Sequence, residues 1–249
     1  MKSLFNVCIM LLVVASCSKK SETATPSEPA PVFKDYSSCK VVSWANINVV
    51  WDNLGRVKSY KDYEYSYVGK KAIVTFQGVP YATLFLNSNN HPDSGTFIVL
   101  TPVGVVPVTF KCDYNADNYL THYSIDMLGA IFEVNCFYSN GNKVREEYEM
   151  LGEPDSKYGI SYTYNHLPDS RKPFYEKVFF LEYHNQKLLN LPIIFGRSSY
   201  NQLVSFVADN ETPSTIRYDY DADGKVIKEY FRVRSNPNES SFGVDYDCK

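Results

Sequence analysis

Apolar and polar residues alternate in short runs along most of the chain, and glycine, asparagine or aspartate separates one run from the next. The clearest case is Ile216–Tyr230: Tyr218 and Tyr220 alternate with Arg217, Asp219 and Asp221, and Asp223-Gly224 tolerates positive φ. Val226, Lys228 and Tyr230 then resume a period of two, which predicts a β-hairpin. Looser copies run over Asn48–Tyr60 with Gly55 at the turn, Tyr63–Phe76 turning at Gly69, Val108–Tyr123 at Asn118, and Phe132–Tyr148 at Asn140-Gly141. A fifth predicted hairpin runs Tyr158–Tyr164, turns through Pro168-Asp169-Ser170 and returns along Tyr175–Tyr183. Tyr81–Leu86 and Thr96–Thr101 read as strands flanking a loop at Asn87–Gly95, and Asn185–Leu191 as a helical turn or irregular crossing. Many strands joined consecutively by short turns predict an all-β fold. It is an antiparallel meander of repeated hairpins that curls into a closed or nearly closed barrel, removing its exposed edges.

The N-terminus departs from this pattern. Met1-Lys2 precedes an apolar run from Leu4 to Ala15 that is too short for a permanent membrane helix and has the layout of a targeting segment. The end of that run, Val14-Ala15-Ser16-Cys17, resembles the lipobox of bacterial lipoproteins. The resemblance implies cleavage after residue 16 and lipidation of Cys17. Three acyl chains would anchor the protein durably, since each buried methylene contributes about 0.8 kcal/mol and one chain alone holds only marginally. Residues 17–31 then read as the lipidated cysteine and a flexible Ser/Thr/Glu/Pro tether, and residues 32–249 as one β-rich domain. In lipoproteins of the Bacteroidetes type, export to the outer face resembles a signal of acidic residues after the cysteine; here Ser18-Lys19-Lys20 comes first. Outer-membrane anchoring on either the periplasmic or the external face stays open.

Composition narrows the classes. With 21 Tyr, 15 Phe and 2 Trp the domain has ample apolar area for a core, and the formal charge of −3 offers no basic patch for nucleic acid. A mean hydropathy of −0.29 speaks for a soluble barrel, not one that faces lipid. Cys39, Cys112, Cys136 and Cys248 remain once Cys8 leaves with the signal and Cys17 takes lipid. Cys39 and Cys248 lie at the two ends of the domain and are the candidate disulfide, closing a long loop worth roughly 4–5 kcal/mol in the chain-entropy account. Cys112 and Cys136 fall in successive repeat units with one strand between them; two strand spacings are roughly 9.6 Å, beyond disulfide reach, so both are expected as buried thiols.

The Tyr-x-Tyr-Asp/Asn…Gly-x-Val units look like the tyrosine-aspartate repeats of bacterial secreted shells. The ending Leu188-Leu-Asn-Leu191, Ser199-Tyr-Asn-Gln-Leu203 and Thr212–Gly224 is similar to a domain-of-unknown-function family of gut Bacteroidetes lipoproteins with a porin-like fold. That resemblance implies a many-stranded barrel in the cell envelope and carries no activity across.

Candidate chemistry is sparse. Asp219-Tyr-Asp221-Ala-Asp223-Gly224 matches the opening of a calcium loop, but position twelve is Tyr230 and Glu229 stands one place early, so these acids read as a turn and no metal site is assigned. His91, His122, His166 and His184 are isolated in sequence and read as surface or packing residues. Glu146-Glu147 would face opposite sides of a strand and cannot work as an acid/base pair. No nucleophile elbow or phosphate-cradling glycine loop occurs, so no catalytic residue and no cofactor is assigned. The expectation is a lipid-anchored monomer, not an enzyme, that binds or scaffolds a glycan, peptide or envelope partner through a tyrosine-rich face. Three alternatives stand beside it: tyrosines that only pair across strands, a purely structural envelope protein, and a hydrolase assembled from distant strands.

Overall fold

The computed structural model describes residues 39–101, 104–169, 199–233 and 238–248, all within the compact unit Val32–Lys249. Cys17, the signal and tether, Tyr175–Tyr183 and Asn185–Leu191 lie outside the described residues.

Sixteen strands form one closed antiparallel barrel. In chain order they are β1 (Cys39–Trp44), β2 (Ile47–Trp51), β3 (Val57–Tyr60), β4 (Tyr63–Val68), β5 (Lys71–Phe76), β6 (Val79–Leu86), β7 (Pro92–Thr101) and β8 (Gly104–Tyr114). They continue with β9 (Leu120–Met127), β10 (Ala130–Ser139), β11 (Asn142–Met150), β12 (Tyr158–Pro168), β13 (Asn201–Ala208), β14 (Ser214–Tyr220), β15 (Val226–Arg232) and β16 (Ser240–Cys248). Every strand pairs with its neighbours in sequence, and β1 closes on β16 in a register that sets Cys39 opposite Cys248. The expected meander is therefore found, fully closed. The one helical element among the described residues is a single 3-10 turn at Pro154–Ser156.

Alternation sorts the side chains into two faces. Val41, Val74, Leu84, Phe97, Val108, Val134, Ile160 and Val226 point inward and are no more than 1 % exposed. Lys58, Glu64, Lys111, Asp113, Asn135, Glu147 and Arg217 stand outward in mid-strand and are exposed. A barrel of sixteen strands is wide enough for an aqueous channel, as porins of that size show, yet here the inward side chains of the described strands are buried. A bilayer-spanning barrel has the reverse arrangement, apolar outside and polar within, and mid-strand charges on a lipid-facing wall are costly.

Tyrosine supplies much of this interior. Tyr60, Tyr63, Tyr65, Tyr123, Tyr148 and Tyr162 are buried in the core, and their rings pair with neighbours, Tyr148 stacking on Tyr158 at 4.8 Å and Tyr63 meeting Tyr81 edge-on at 5.3 Å. Several half-buried phenols find an acceptor on the adjacent strand: Tyr67 donates to the Val57 carbonyl at 2.9 Å, Tyr114 to Pro92 at 2.5 Å and Tyr218 to Leu203 at 2.5 Å.

Two expectations need correction. The loop expected at Asn87–Gly95 ends at His91, and β7 already begins at Pro92. Proline is tolerated at a strand's first residue. Gly95 sits inside the strand because the Phe110 ring lies over it: an added Cβ would come 2.7 Å from that ring and 2.6 Å from the Thr83 carbonyl. The hairpin partner of β12, expected along Tyr175–Tyr183, is instead Asn201–Ala208.

Candidate functional site at the disulfide end

Cys39 and Cys248 are joined, S–S 2.08 Å, at the end of the barrel where β1 begins and β16 finishes. In a meander the β2–β3, β4–β5, β6–β7, β8–β9, β10–β11 and β14–β15 connections come to this same end. Four of them are one repeated loop. Asp52, Asn87, Asn115 and Asp221 each accept hydrogen bonds through Oδ1 from the backbone N–H two and four residues on, at 2.8–3.1 Å. The fourth residue of each loop, Gly55, Asn90, Asn118 or Gly224, takes a φ between +63° and +84°, a region open mainly to glycine and asparagine. The Asp221 carboxylate is thus spent on its own loop, and Asp219 accepts from Tyr230 Oη at 2.6 Å. The calcium-like spacing is turn chemistry.

The loops Asp52–Arg56 and Asn87–His91 flank a cavity of about 200 Å³ that opens into the barrel end. Its floor is aliphatic: Val57 from β3, Ala72 from β5, and Leu84 and Leu86 from β6. The hollow has a cause in the register. Tyr67, Ala72, Leu84 and Gly95 stand side by side across β4 to β7, and the two small residues leave room; Phe110 fills it over Gly95, and Ala72 lines the hollow. Tyr65 borders the same cavity, and its buried hydroxyl has no hydrogen-bond partner among the described residues.

Arg56 forms the polar part of the wall. Its Nε donates to Asp52 Oδ2 at 2.7 Å, and its guanidinium lies 3.9 Å from the centre of the Tyr67 ring. No described residue engages its two Nη nitrogens. Desolvation works to raise the Asp52 carboxyl, but the backbone N–H and guanidinium of Arg56 outweigh it and hold the acid below its usual range. Burial pushes the Tyr67 phenol up to about 12. The rim is completed by Asn89, Asn90 and His91, whose ring stacks on Tyr114 at 5.7 Å.

Two further polar clusters lie elsewhere. Inside the barrel, Lys143 Nζ donates to Glu146 Oε1 at 2.8 Å, Tyr162 and Tyr148 donate to Oε2, and Cys136 Sγ lies 3.7 Å from Oε1. Desolvation pulls the Glu146 carboxyl upward; the Lys143 ammonium and the hydrogen bonds prevail and hold it below the ordinary glutamate value. Lys143 and Glu146 are three apart and should face opposite ways. The bulge that pairs Tyr138 with Lys143 but Phe137 with Arg145 turns both inward. Glu147, as expected, points out. On the outer wall His122, isolated in sequence, bridges Asp113 at 3.0 Å and Glu133 at 2.5 Å across β8, β9 and β10. A shallow outer hollow of about 290 Å³ near Arg145 offers little, because that guanidinium is already bound to Asp209, Glu147 and Ser161.

The turns of this end are legible in the sequence; the cavity is not, because its lining comes from five strands and two loops. The tyrosine-rich face, expected to meet a ligand, is the inner face. Cys112 and Cys136 are free and buried, and burial pushes the Cys112 thiol up to about 12.

No protein-family model matches the sequence. No curated protein matches it either. Among solved structures the chain is similar to a porin-like protein from Bacteroides uniformis ATCC 8492, with 16 % identity over 85 % of this chain and 96 % of that one and a TM-score of 0.58. It is also similar to a porin-like protein from Bacteroides vulgatus ATCC 8482, with 12 % identity over 81 % and 92 % and a TM-score of 0.52. At this identity the likeness is one of fold: the closed antiparallel barrel is shared.

Proposed function

We propose that the chain is a cell-envelope protein held by a lipidated Cys17, acting as a monomeric, non-catalytic binding module whose ligand enters the cavity at the disulfide end. The observation that carries this is a hollow that keeps the Arg56 Nη and Tyr65 hydroxyl donors unspent among the described residues, at the end of a barrel whose described inward side chains are buried. The lipobox-like Val14–Cys17 and the charged outer wall support tethering to a membrane over spanning one. The porin-like neighbours from Bacteroides are consistent with an envelope address and with the Bacteroidetes lipoprotein family that the C-terminal motifs resemble. Glycan, peptide and envelope-protein ligands all remain within this reading. A thermal-shift screen over glycans and peptides tests it: at least one class should raise Tm in the native chain and fail to do so in Ala72→Leu, which fills the hollow. Stabilisation that survives Ala72→Leu, or none from any class, would sink it.

The burial of the described inward side chains favours a second reading, a purely structural envelope protein. The Lys143–Glu146 cluster belongs to that reading as well, since its charges and phenols satisfy one another.

A further inference from the structure

Resting on the binding reading above, we infer that the cavity takes one large apolar side chain of a peptide, with the peptide's backbone carbonyls accepting from Arg56 at the rim. The floor decides between the ligand classes. Val57, Ala72, Leu84 and Leu86 offer no hydrogen-bonding group, so a sugar ring, hydroxylated all round, would leave its hydroxyls unmet there, whereas an aliphatic or aromatic side chain loses nothing by desolvation. A sugar also finds one face of the Tyr67 ring already covered by the Arg56 guanidinium.

Charge narrows it further. Arg56 is the one Lys, Arg, Asp or Glu in the cavity lining, and Asp52 at 2.7 Å already matches it. A charged ligand group therefore meets a neutral pair, while the two Nη nitrogens keep their N–H groups for neutral acceptors such as peptide carbonyls. An apolar anchor seated under a rim of backbone-directed donors is a common form of peptide recognition.

The test uses the full chain with ¹³C-labelled Ala, Leu and Val methyls and titrates acetyl-Gly-Xaa-Gly-amide with Xaa as Ala, Leu or Phe. Glucose and N-acetylglucosamine are titrated in parallel. Leu and Phe peptides should shift the Ala72, Leu84 and Leu86 methyls and bind at least ten-fold tighter than the Ala peptide. Arg56→Gln should weaken all three peptides by a similar factor, and Ala72→Leu should abolish the response. Should Ala72→Leu not fold, the position of the shifting methyls in the wild-type chain decides alone. Sugars that shift these methyls while peptides do not would overturn the peptide assignment and leave the binding module standing. Silence of these methyls toward every probe, or shifts confined to the outer wall, would overturn both.

Discussion

Replacing Glu146 by glutamine tests the buried polar cluster most sharply. The amide keeps one oxygen for Tyr148 and Tyr162 but sets an N–H₂ donor, or a bare neutral oxygen, against the Lys143 ammonium. Lys143 has 7 % of its side chain exposed and Glu146 1 %, so solvent cannot replace the lost charge. Removing one partner of a buried ion pair typically costs 3–5 kcal/mol, because the surviving charge is stranded. For a domain of this size each kcal/mol moves Tm by about 2–4 °C, so Glu146→Gln should lower it by roughly 6–20 °C. Adding Lys143→Met removes the stranded charge and should recover about half of the loss. The assay is urea unfolding followed by tyrosine fluorescence, run as a double-mutant cycle. A loss under about 1 kcal/mol for Glu146→Gln, or single losses that simply add, would refute the idea of a coupled pair.

Glu146 titrates below its ordinary value of 4.5 in the folded chain, so its stabilisation is complete above that value and is lost as pH falls through the folded pKa; acid unfolding below pH 4.5 should be shallower in the Lys143→Met/Glu146→Leu double variant than in the wild type. Reducing Cys39–Cys248, which closes a loop with a sequence separation of 209, should cost about 5 kcal/mol in the chain-entropy account, read as a lower urea midpoint for Cys39→Ser. Asp221→Ala removes the one oxygen that accepts from two backbone N–H groups of its loop and should cost about 1 kcal/mol by the same assay, whereas a calcium ligand would show a calcium-dependent Tm that the wild-type chain is expected to lack. Tyr65→Phe deletes a buried hydroxyl that has no described partner and should leave Tm unchanged or raise it.

Much of the barrel was legible because period-two alternation and turn residues agree with each other. Asn140-Gly141 and Asp223-Gly224 named their hairpins outright. Asn87–His91 was harder to place as a copy of the same loop, since Asn90 stands where glycine is usual and no tyrosine pair precedes it. The inward tyrosines could not be told from outward ones by spacing, because alternation fixes two faces without saying which is inside. The Lys143–Glu146 pair was hidden by a bulge, and a single inserted residue inverts every parity argument that crosses it. Residues such as Val57, Ala72 and Leu86 lie on different strands, so their meeting at one cavity depends on register across β3 to β6 that no local pattern encodes.

Among the described residues the inner wall of the sixteen-stranded barrel is packed, not open to solvent. Thiol titration with Ellman's reagent in a Cys8→Ser/Cys17→Ser chain reads this, because the thiols then left outside the Cys39–Cys248 disulfide are Cys112 and Cys136, which point into the interior from β8 and β10. A packed barrel predicts no reaction of either thiol in the native chain over hours and two equivalents once it is unfolded in guanidinium. Rapid reaction of one or both in the native chain would mean that water and reagent reach the inner wall, and the barrel would then be a channel.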